Sequence, residues 1–296
     1  MTLQLDGPLL LAGAGNMGGA MLAGWLEQGL GADRIMVQDP GPPPAIAALL
    51  AKAGIAARAR IEQLPEPPAV ILVAVKPQAM DEVFPPLARL AGPGTVVLSI
   101  AAGRTIAGFA KHLPAGAAIV RAMPNTPAAV GRGITVCCPN AHVTAAQRAT
   151  CTALLAAIGQ VAWVEDEGLI DAVTAVSGSG PAYVFHLVEA MAAAGVRCGL
   201  PADLAMQLAR ATVAGSGELL HRSELAAGQL RANVTSPNGT THAALQVLMA
   251  PDGLQPVMDR AIAAATRRSR ELAVNERPVT WSAPDVVQST GHGQPT

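Results

Sequence analysis

Short apolar runs separated by helix-length amphipathic stretches organise the first half of the chain. Residues 9–12, 35–37, 69–75, 95–100 and 118–122 have the length and apolar content of buried strands. Between them, 17–29, 44–53, 78–90 and 105–113 are long enough to return over a sheet as helices. Strand and helix in repetition predict a parallel sheet wound on both faces, a doubly wound α/β domain. Residues 135–138 and 160–164, either side of a helix predicted over 144–158, are expected to extend this sheet at one edge.

After Glu165 the strand pattern stops. Helical periodicity takes over at 169–176, 181–195, 201–220, 240–249 and 253–272. Pro181 and Pro201 stand at helix starts, where a missing N–H costs nothing, and Gly195, Gly199 and Gly253 stand where helices end or begin. The expected organisation is an α/β domain over 1–165, an all-α domain over 166–275 and a Pro-, Ser- and Gly-rich disordered tail over 276–296.

Composition narrows the function classes. With 296 residues, 51% of them apolar and 14% charged, the chain is a compact protein of two-domain size rather than a disordered or coiled-coil one. A net charge of -1 without any basic run removes the electrostatic footprint of a nucleic-acid binder. Cys137, Cys138, Cys151 and Cys198 have neither metal-ligand spacing nor the arrangement of a disulfide framework, so they read as reduced and structural, with no metal site. Near the N-terminus Asp6 stands where a signal peptide is basic, and the glycines from Gly13 to Gly19 interrupt any spanning helix. A cytoplasmic protein without a membrane anchor is expected.

Gly13-Ala14-Gly15-Asn16-Met17-Gly18 matches GxGxxG and lies between a predicted strand and a predicted helix. There the first glycine permits a tight turn, the second lets backbone approach a pyrophosphate, and the third allows close helix packing. The helix N-terminus faces the negative charge. The alternative, a ligand-free glycine turn, is disfavoured by the position in the first βα unit of an alternating pattern, which predicts a Rossmann dinucleotide site. Asp39 ends the next strand, where an acidic residue meets the adenosine ribose hydroxyls. Its charge opposes a 2'-phosphate and so favours NADH, although Arg58 or Arg60 can fold back toward a phosphate. The competing reading makes Asp39 a turn residue before Pro40.

Ala74-Val75-Lys76-Pro77 and Ala101-Ala102-Gly103 leave two further strands at the carboxyl edge, where an open sheet binds its ligand, and their small residues admit a flat ring. Lys76 faces the cofactor or is a solvated loop lysine. Arg121-Ala122-Met123-Pro124-Asn125-Thr126-Pro127 is a rigid double-proline loop, either a cover for the nicotinamide or a plain turn.

In the helical half, the polar stretch from Asn233 to His242 runs straight into a helix. Free N–H groups at that helix start, joined by the hydroxyls of Ser236, Thr240 and Thr241, suit a carboxylate. The alternative is a capped helix with Thr240 or Thr241 as its cap. The chain's lysines are Lys52, Lys76 and Lys111, none of them in the helical half. Hydroxy-acid dehydrogenases of related architecture take a general acid or base lysine from there, so this substrate should need little proton help. An imine, which accepts hydride at carbon in its protonated form, meets that requirement.

Taken together, GAGNMG from Gly13, AVKPQ from Ala74, RAMPNTP from Arg121, AVSGSGPAYVF from Ala175 and VTSPNGTTHAAL from Val234 make the chain resemble the Δ1-pyrroline-5-carboxylate reductases, the enzymes of the last step of proline biosynthesis. The resemblance covers residues 9–272. It implies a Rossmann domain holding NADPH or NADH, and an all-α dimerisation domain that interlocks with a second subunit in a homodimer or larger homo-oligomer. It implies 1-pyrroline-5-carboxylate as substrate. On the matching positions, backbone N–H groups of Ser236, Gly239 and Thr240 hold the substrate carboxylate and the catalytic Thr241 hydroxyl bonds the ring nitrogen. Glu167 lies near the substrate, Asn233 near the nicotinamide ribose, and Glu224 is presented across the dimer. Two positions depart from the family pattern. Asn238-Gly239 replaces two glycines, although Asn tolerates positive φ; Asp39 replaces a serine or threonine that meets the 2'-phosphate, which puts the usual NADPH preference in question. The alternatives are a reductase of another cyclic imine acid and a catalytically silent dinucleotide-binding regulatory protein.

Overall fold

Strands β1 (Leu9–Ala12), β4 (Val70–Val73) and β5 (Val96–Ser99) are buried at every position, which is why they read as continuous apolar runs rather than alternating ones. The computed structural model describes residues 3–274, so the tail expected at 276–296 lies outside the described residues. With β2 (Ile35–Gln38), β3 (Ala57–Arg58), β6 (Ala118–Met123), β7 (Gly133–Pro139) and β8 (Gly159–Trp163) these strands form one eight-stranded sheet in the order β3-β2-β1-β4-β5-β6-β7-β8. All neighbours are parallel except β6 and β7. The connection over 124–132 is too short to carry a crossover helix, and the chain therefore turns back antiparallel. The edge extension is thus present, with one strand reversed. Strand β3, two exposed residues, has no apolar run to announce it.

Helices cover both faces, as the alternating pattern predicts. On one face α1 (Asn16–Glu27), α2 (Pro44–Ala53) and α5 (Ala145–Ala156) bury Met21, Leu22, Trp25, Leu50, Cys151, Leu154 and Leu155 against the sheet. The Trp25 indole N–H donates to the Leu154 carbonyl at 2.7 Å, so the largest buried side chain keeps its hydrogen bond. On the other face α3 (Met80–Ala88) and α4 (Ile106–Ala110) supply Met80, Phe84, Leu87 and Phe109, with Phe84 and Phe109 edge to face at 4.8 Å.

Beyond β8 the described residues are helical. The helix expected at 169–176 is instead a 3₁₀ turn (Glu167–Leu169), one α turn α6 (Ile170–Val173) and a π turn (Thr174–Gly178), closed by the Ser179 N–H on the Thr174 carbonyl at 2.8 Å. Then follow α7 (Gly180–Arg197), α8 (Ala202–Arg222), α9 (Ala227–Asn233), α10 (Thr240–Leu248) and α11 (Leu254–Val274). Helices α7 and α8 pack through Ala192, Ala205 and Ala209, small residues that let the backbones approach. Helix α11 returns to α6, where the Ser269 hydroxyl donates to Asp171 at 2.7 Å. Much apolar surface stays uncovered on α7 to α10, including Phe185, Leu187, Leu219, Leu220, Val247 and Leu248. Among the described residues no helix is long and apolar enough to cross a membrane.

Candidate active site

Parallel pairing in aligned register places Ala12, Gln38, Val73 and Ser99 side by side, so the loops that follow β1, β2, β4 and β5 share one carboxyl edge. Four of the sequence motifs therefore meet there: Gly13 to Gly18, Asp39, Ala74 to Pro77, and Ala101 to Gly103. The order turns from β1 outward to β2 on one side and to β4 on the other, which makes the gap between β1 and β4 the switch point of the sheet.

Each glycine of the turn has a separate reason to lack a side chain. Gly13 has φ +92°, and a Cβ there would stand 2.7 Å from the Ala74 carbonyl oxygen. A Cβ on Gly18 would strike the carbonyl oxygen of Gly13. Gly15 differs: a Cβ would meet nothing within 4 Å, so the space is open on the side where it caps α1. No side chain caps that end, and the first-turn N–H groups of α1 are left to a ligand. Open space over uncapped amides fits a pyrophosphate.

Asp39 binds this turn to the next one. Its Oδ2 accepts the N–H of Ala14 at 2.7 Å and its Oδ1 that of Gly41 at 2.8 Å. It is thus a turn residue, and each oxygen keeps a lone pair for a ribose hydroxyl. Arg58 is exposed on β3, and Arg60 is paired with Glu62 at 3.3 Å. Lys76 is exposed and makes no ion pair among the described residues.

The helical half closes on this edge at two points. A Cβ on Gly103, which has φ +74°, would stand 3.7 Å from Cβ of Leu272 on α11. At the end of β6, Met123 reaches Gly178 of the π turn, where an added Cβ would come within 2.6 Å of its Cε. The loop beyond is held by the Asn125 side chain, whose Oδ1 accepts the Ile134 N–H at 3.0 Å.

Glu167 sits at the junction of the two halves. Its Oε1 accepts from Nη1 of the buried Arg121 at 2.8 Å and from the N–H of Ile106 at 2.9 Å. Sequence reasoning singled out both residues without pairing them, since 46 positions separate them.

The second half of the expected site is the turn before α10 and the first turn of that helix. Gly239 is the N-cap of α10 and no side chain caps that end, so Thr240 and Thr241 lie inside the helix and the capped-helix reading does not apply. The turn before it is closed by the Gly239 N–H on the Ser236 carbonyl at 3.0 Å, with Asn238 at φ 59°. Asn233 accepts from Gln229 at 2.8 Å, and Glu224 is exposed between α8 and α9. Among the described residues no hydrogen bond joins 236–241 to the sheet half.

The cysteines offer no nucleophile at this edge. Burial pushes the Cys138 thiol up to about 11 and the Cys151 thiol up to about 12. Cys198, expected to be structural like the others, is exposed at the C-cap of α7.

Known proteins resemble the chain over both halves. A family model described as pyrroline-5-carboxylate reductase dimerisation matches residues 167–272, and one described as NADP oxidoreductase coenzyme F420-dependent matches 9–103. The pyrroline-5-carboxylate reductase of Pseudomonas aeruginosa is 42% identical over 88% of this chain and 95% of its own. That of Mycobacterium leprae is 39% identical over 90% and 97%. A solved pyrroline-5-carboxylate reductase from Coxiella burnetii superposes with a TM-score of 0.84 at 32% identity, covering 91% of this chain and 99% of that one. The Plasmodium falciparum pyrroline carboxylate reductase, solved with NADP bound, gives 0.74 at 26% identity over 90% and 98%. With an open glycine cradle at the sheet edge, an uncapped helix start in the helical half and relatives aligned across both, the chain belongs to the pyrroline-5-carboxylate reductase family.

Proposed function

We propose that this chain is an NAD(P)H-dependent oxidoreductase acting on a C=N bond, which reduces 1-pyrroline-5-carboxylate to L-proline in the last step of proline biosynthesis. The observation that carries the reading is the pair of uncapped helix starts, α1 behind an open glycine turn and α10 behind Gly239. One offers amides to a pyrophosphate and the other to a substrate carboxylate. Relatives named pyrroline-5-carboxylate reductase, 36% to 47% identical, support the substrate, and the Plasmodium falciparum protein solved with NADP supports the nicotinamide.

In this reading 1–165 is the dinucleotide-binding domain and 166–275 the substrate and dimerisation domain. The cofactor is held by Gly13, Ala14, Gly15, Asn16, Met17 and Gly18 at its phosphates, by Asp39 at the adenosine ribose, and by Ala74 to Pro77, Ala101 to Gly103 and Asn233 toward the nicotinamide. When bound, it supplies the hydride. Amides at Ser236 and Thr240 grip the substrate carboxylate, and Gly239, whose own N–H closes the turn on the Ser236 carbonyl, lets the carboxylate approach the helix start. The Thr241 hydroxyl can donate to the imine nitrogen and accept from it once protonated, which orients the ring in both states. Glu167 stands near the substrate with its carboxylate turned to Arg121.

A second copy completes the site. Apolar side chains left exposed on α7 to α10 need a cover, and the match to a dimerisation family over 167–272 supports a homodimer, or a larger homo-oligomer, as that cover. Glu224 would be contributed across it. The free cysteines suit a reducing compartment, and we place the protein in the cytoplasm.

The test is the fall in absorbance of NADH or NADPH when pyrroline-5-carboxylate is added. Turnover with at least one cofactor is expected. Absence of turnover with both, in folded protein that binds a cofactor, would leave a reductase of another cyclic imine acid or a regulatory protein.

A further inference from the structure

We propose that Arg121 and Glu167 act as one positioning unit that sets the tilt of the helical half on the sheet, so that binding of the imine depends on Arg121 although it lies on a strand of the cofactor half. The inference rests on the reading of the chain as an imine reductase.

Arg121 stands in β6 with Ser99 of β5 and Cys138 of β7 as its register neighbours, and it is 4% exposed. A guanidinium keeps its charge at any working pH, so its burial requires a carboxylate. Among the described residues Glu167 is its ion-pair partner, at 2.8 Å. The same Oε1 takes the N–H of Ile106 at 2.9 Å, the first residue of α4. One oxygen therefore fastens three places: strand β6, the start of α4 just after the Ala101 to Gly103 loop, and the first turn of the helical half. Two residues along β6 from Arg121, Met123 meets Gly178 of the π turn. From α6 the constraint passes to α11 through Asp171 and Ser269 at 2.7 Å, and the last turn of α11 carries Leu272 against Gly103. A second ion pair between the halves among the described residues, Arg132 with Glu218, is exposed on both sides and holds less firmly. A tilt at the junction would move α11 against the nicotinamide loop, and would move the dimerisation helices that carry 236–241 relative to the cofactor.

This role differs from direct contact between Glu167 and the substrate, because it makes Arg121 equally necessary. The test uses the full-length enzyme with the variants Arg121→Met, Arg121→Lys, Glu167→Gln, Glu167→Asp and the double variant Arg121→Met with Glu167→Gln. The readouts are NADH affinity from nucleotide fluorescence, KM and kcat for the imine, and circular dichroism. Each Met or Gln variant is expected to lose about tenfold or more in kcat/KM for the imine, because small misplacements of bound reactants are costly. NADH affinity should stay within about threefold, since no cradle contact is removed. The double variant is expected to be no worse than the poorer single one, and Arg121→Lys to recover part of the loss. Should the Met and Gln variants misfold, Glu167→Asp keeps the charge and opens a gap; it is expected to raise KM for the imine, and an unchanged KM would overturn the inference. Full activity in Arg121→Met beside a loss in Glu167→Gln would also overturn it, in favour of direct contact. So would losses that multiply in the double variant. Failure of the unsubstituted enzyme to reduce the imine would instead count against the proposed function itself.

Discussion

The carboxylate of Asp39 reaches from the end of β2 to the turn after β1, where its Oδ2 accepts the N–H of Ala14 at 2.7 Å. The negative charge is therefore fixed beside the phosphate cradle instead of swinging in solvent. No cation among the described residues is paired with it. A 2'-phosphate on the adenosine ribose would meet that charge. Asp39→Ser is expected to shift the ratio of NADPH to NADH affinity toward NADPH by about tenfold, or about 1.4 kcal/mol. Titration of nucleotide fluorescence reads both constants, and an unchanged ratio would confine Asp39 to holding the turn.

Gly15 and Gly18 separate a ligand requirement from a packing one. An added methyl at Gly18 meets the backbone carbonyl of Gly13, which cannot move without opening the turn, whereas one at Gly15 enters open space. Gly18→Ala should cost about 2 kcal/mol or more in denaturant unfolding. Gly15→Ala should change stability by less than about 1 kcal/mol. The same Gly15 variant should weaken cofactor binding by about tenfold or more, because its methyl occupies the space read as the phosphate's. Wild-type affinity in Gly15→Ala would mean that the pyrophosphate lies elsewhere.

Much of the sheet is legible in the sequence because its central strands are buried on both sides. Val70 to Val73 and Val96 to Ser99 admit no polar alternation, and length alone separates them from the helices between. Strand β3 escapes because two exposed residues carry no burial signal. Direction within the edge pair is readable only from the connection over 124–132, whose length forbids a crossover. The π turn is hidden for a different reason. Its residues keep an apolar spacing compatible with a plain helix, and the widened ring shows only in the hydrogen bond from Ser179 to Thr174.

At the site, what depends on backbone is visible and what depends on pairing is not. The glycines of the turn announce themselves because no other residue fits Gly13 or Gly18. Arg121 opens a recognisable motif and Glu167 is singled out only by the family resemblance, and nothing in the linear order couples a strand residue to an acid beyond two further strands. The uncapped start of α10 is a third case. Thr240 and Thr241 look like capping residues in sequence, and only the position of Gly239 one step earlier moves them inside the helix. The apolar faces of α7 to α10 look like core positions, which in one chain they are not.

A pH dependence follows from Glu218 on α8. Arg132 at 3.2 Å and Arg222 at 2.7 Å share its carboxylate, and their hydrogen bonds hold its pKa down to about 2 from an ordinary 4.5. A carboxyl group that is more acidic when folded takes up protons preferentially when unfolded. Its stabilising contribution is whole above about 4.5 and is lost as the pH falls toward about 2. The pair is partly exposed, so the effect is small. Between about pH 6 and pH 3 the urea midpoint of the unsubstituted protein should fall more steeply than that of Glu218→Gln. Parallel slopes would show that water screens this clamp completely.

Thr240 and Thr241 are neighbours in the same first turn of α10, and the proposed mechanism assigns them different atoms. Thr240 acts through its backbone N–H, which any non-proline residue keeps; Thr241 acts through its hydroxyl, which valine lacks. Valine has nearly the shape and helix propensity of threonine, so either substitution should alter stability by less than about 0.5 kcal/mol. Thr240→Val is then expected to retain turnover within about threefold. Thr241→Val removes a hydrogen bond to the reacting ring worth about 1.5 to 3 kcal/mol, or roughly 10- to 100-fold in kcat/KM for pyrroline-5-carboxylate. Its NADH affinity should match that of the unsubstituted enzyme, because the hydroxyl removed is assigned to the substrate and, among the described residues, 236–241 makes no hydrogen bond to the glycine turn. Kinetics equal to the unsubstituted enzyme's in both variants would remove the hydroxyl from the mechanism and leave the amides of the helix start as the whole of the substrate grip. A loss in both of similar size would mean that the first turn itself, and not one side chain, orients the ring.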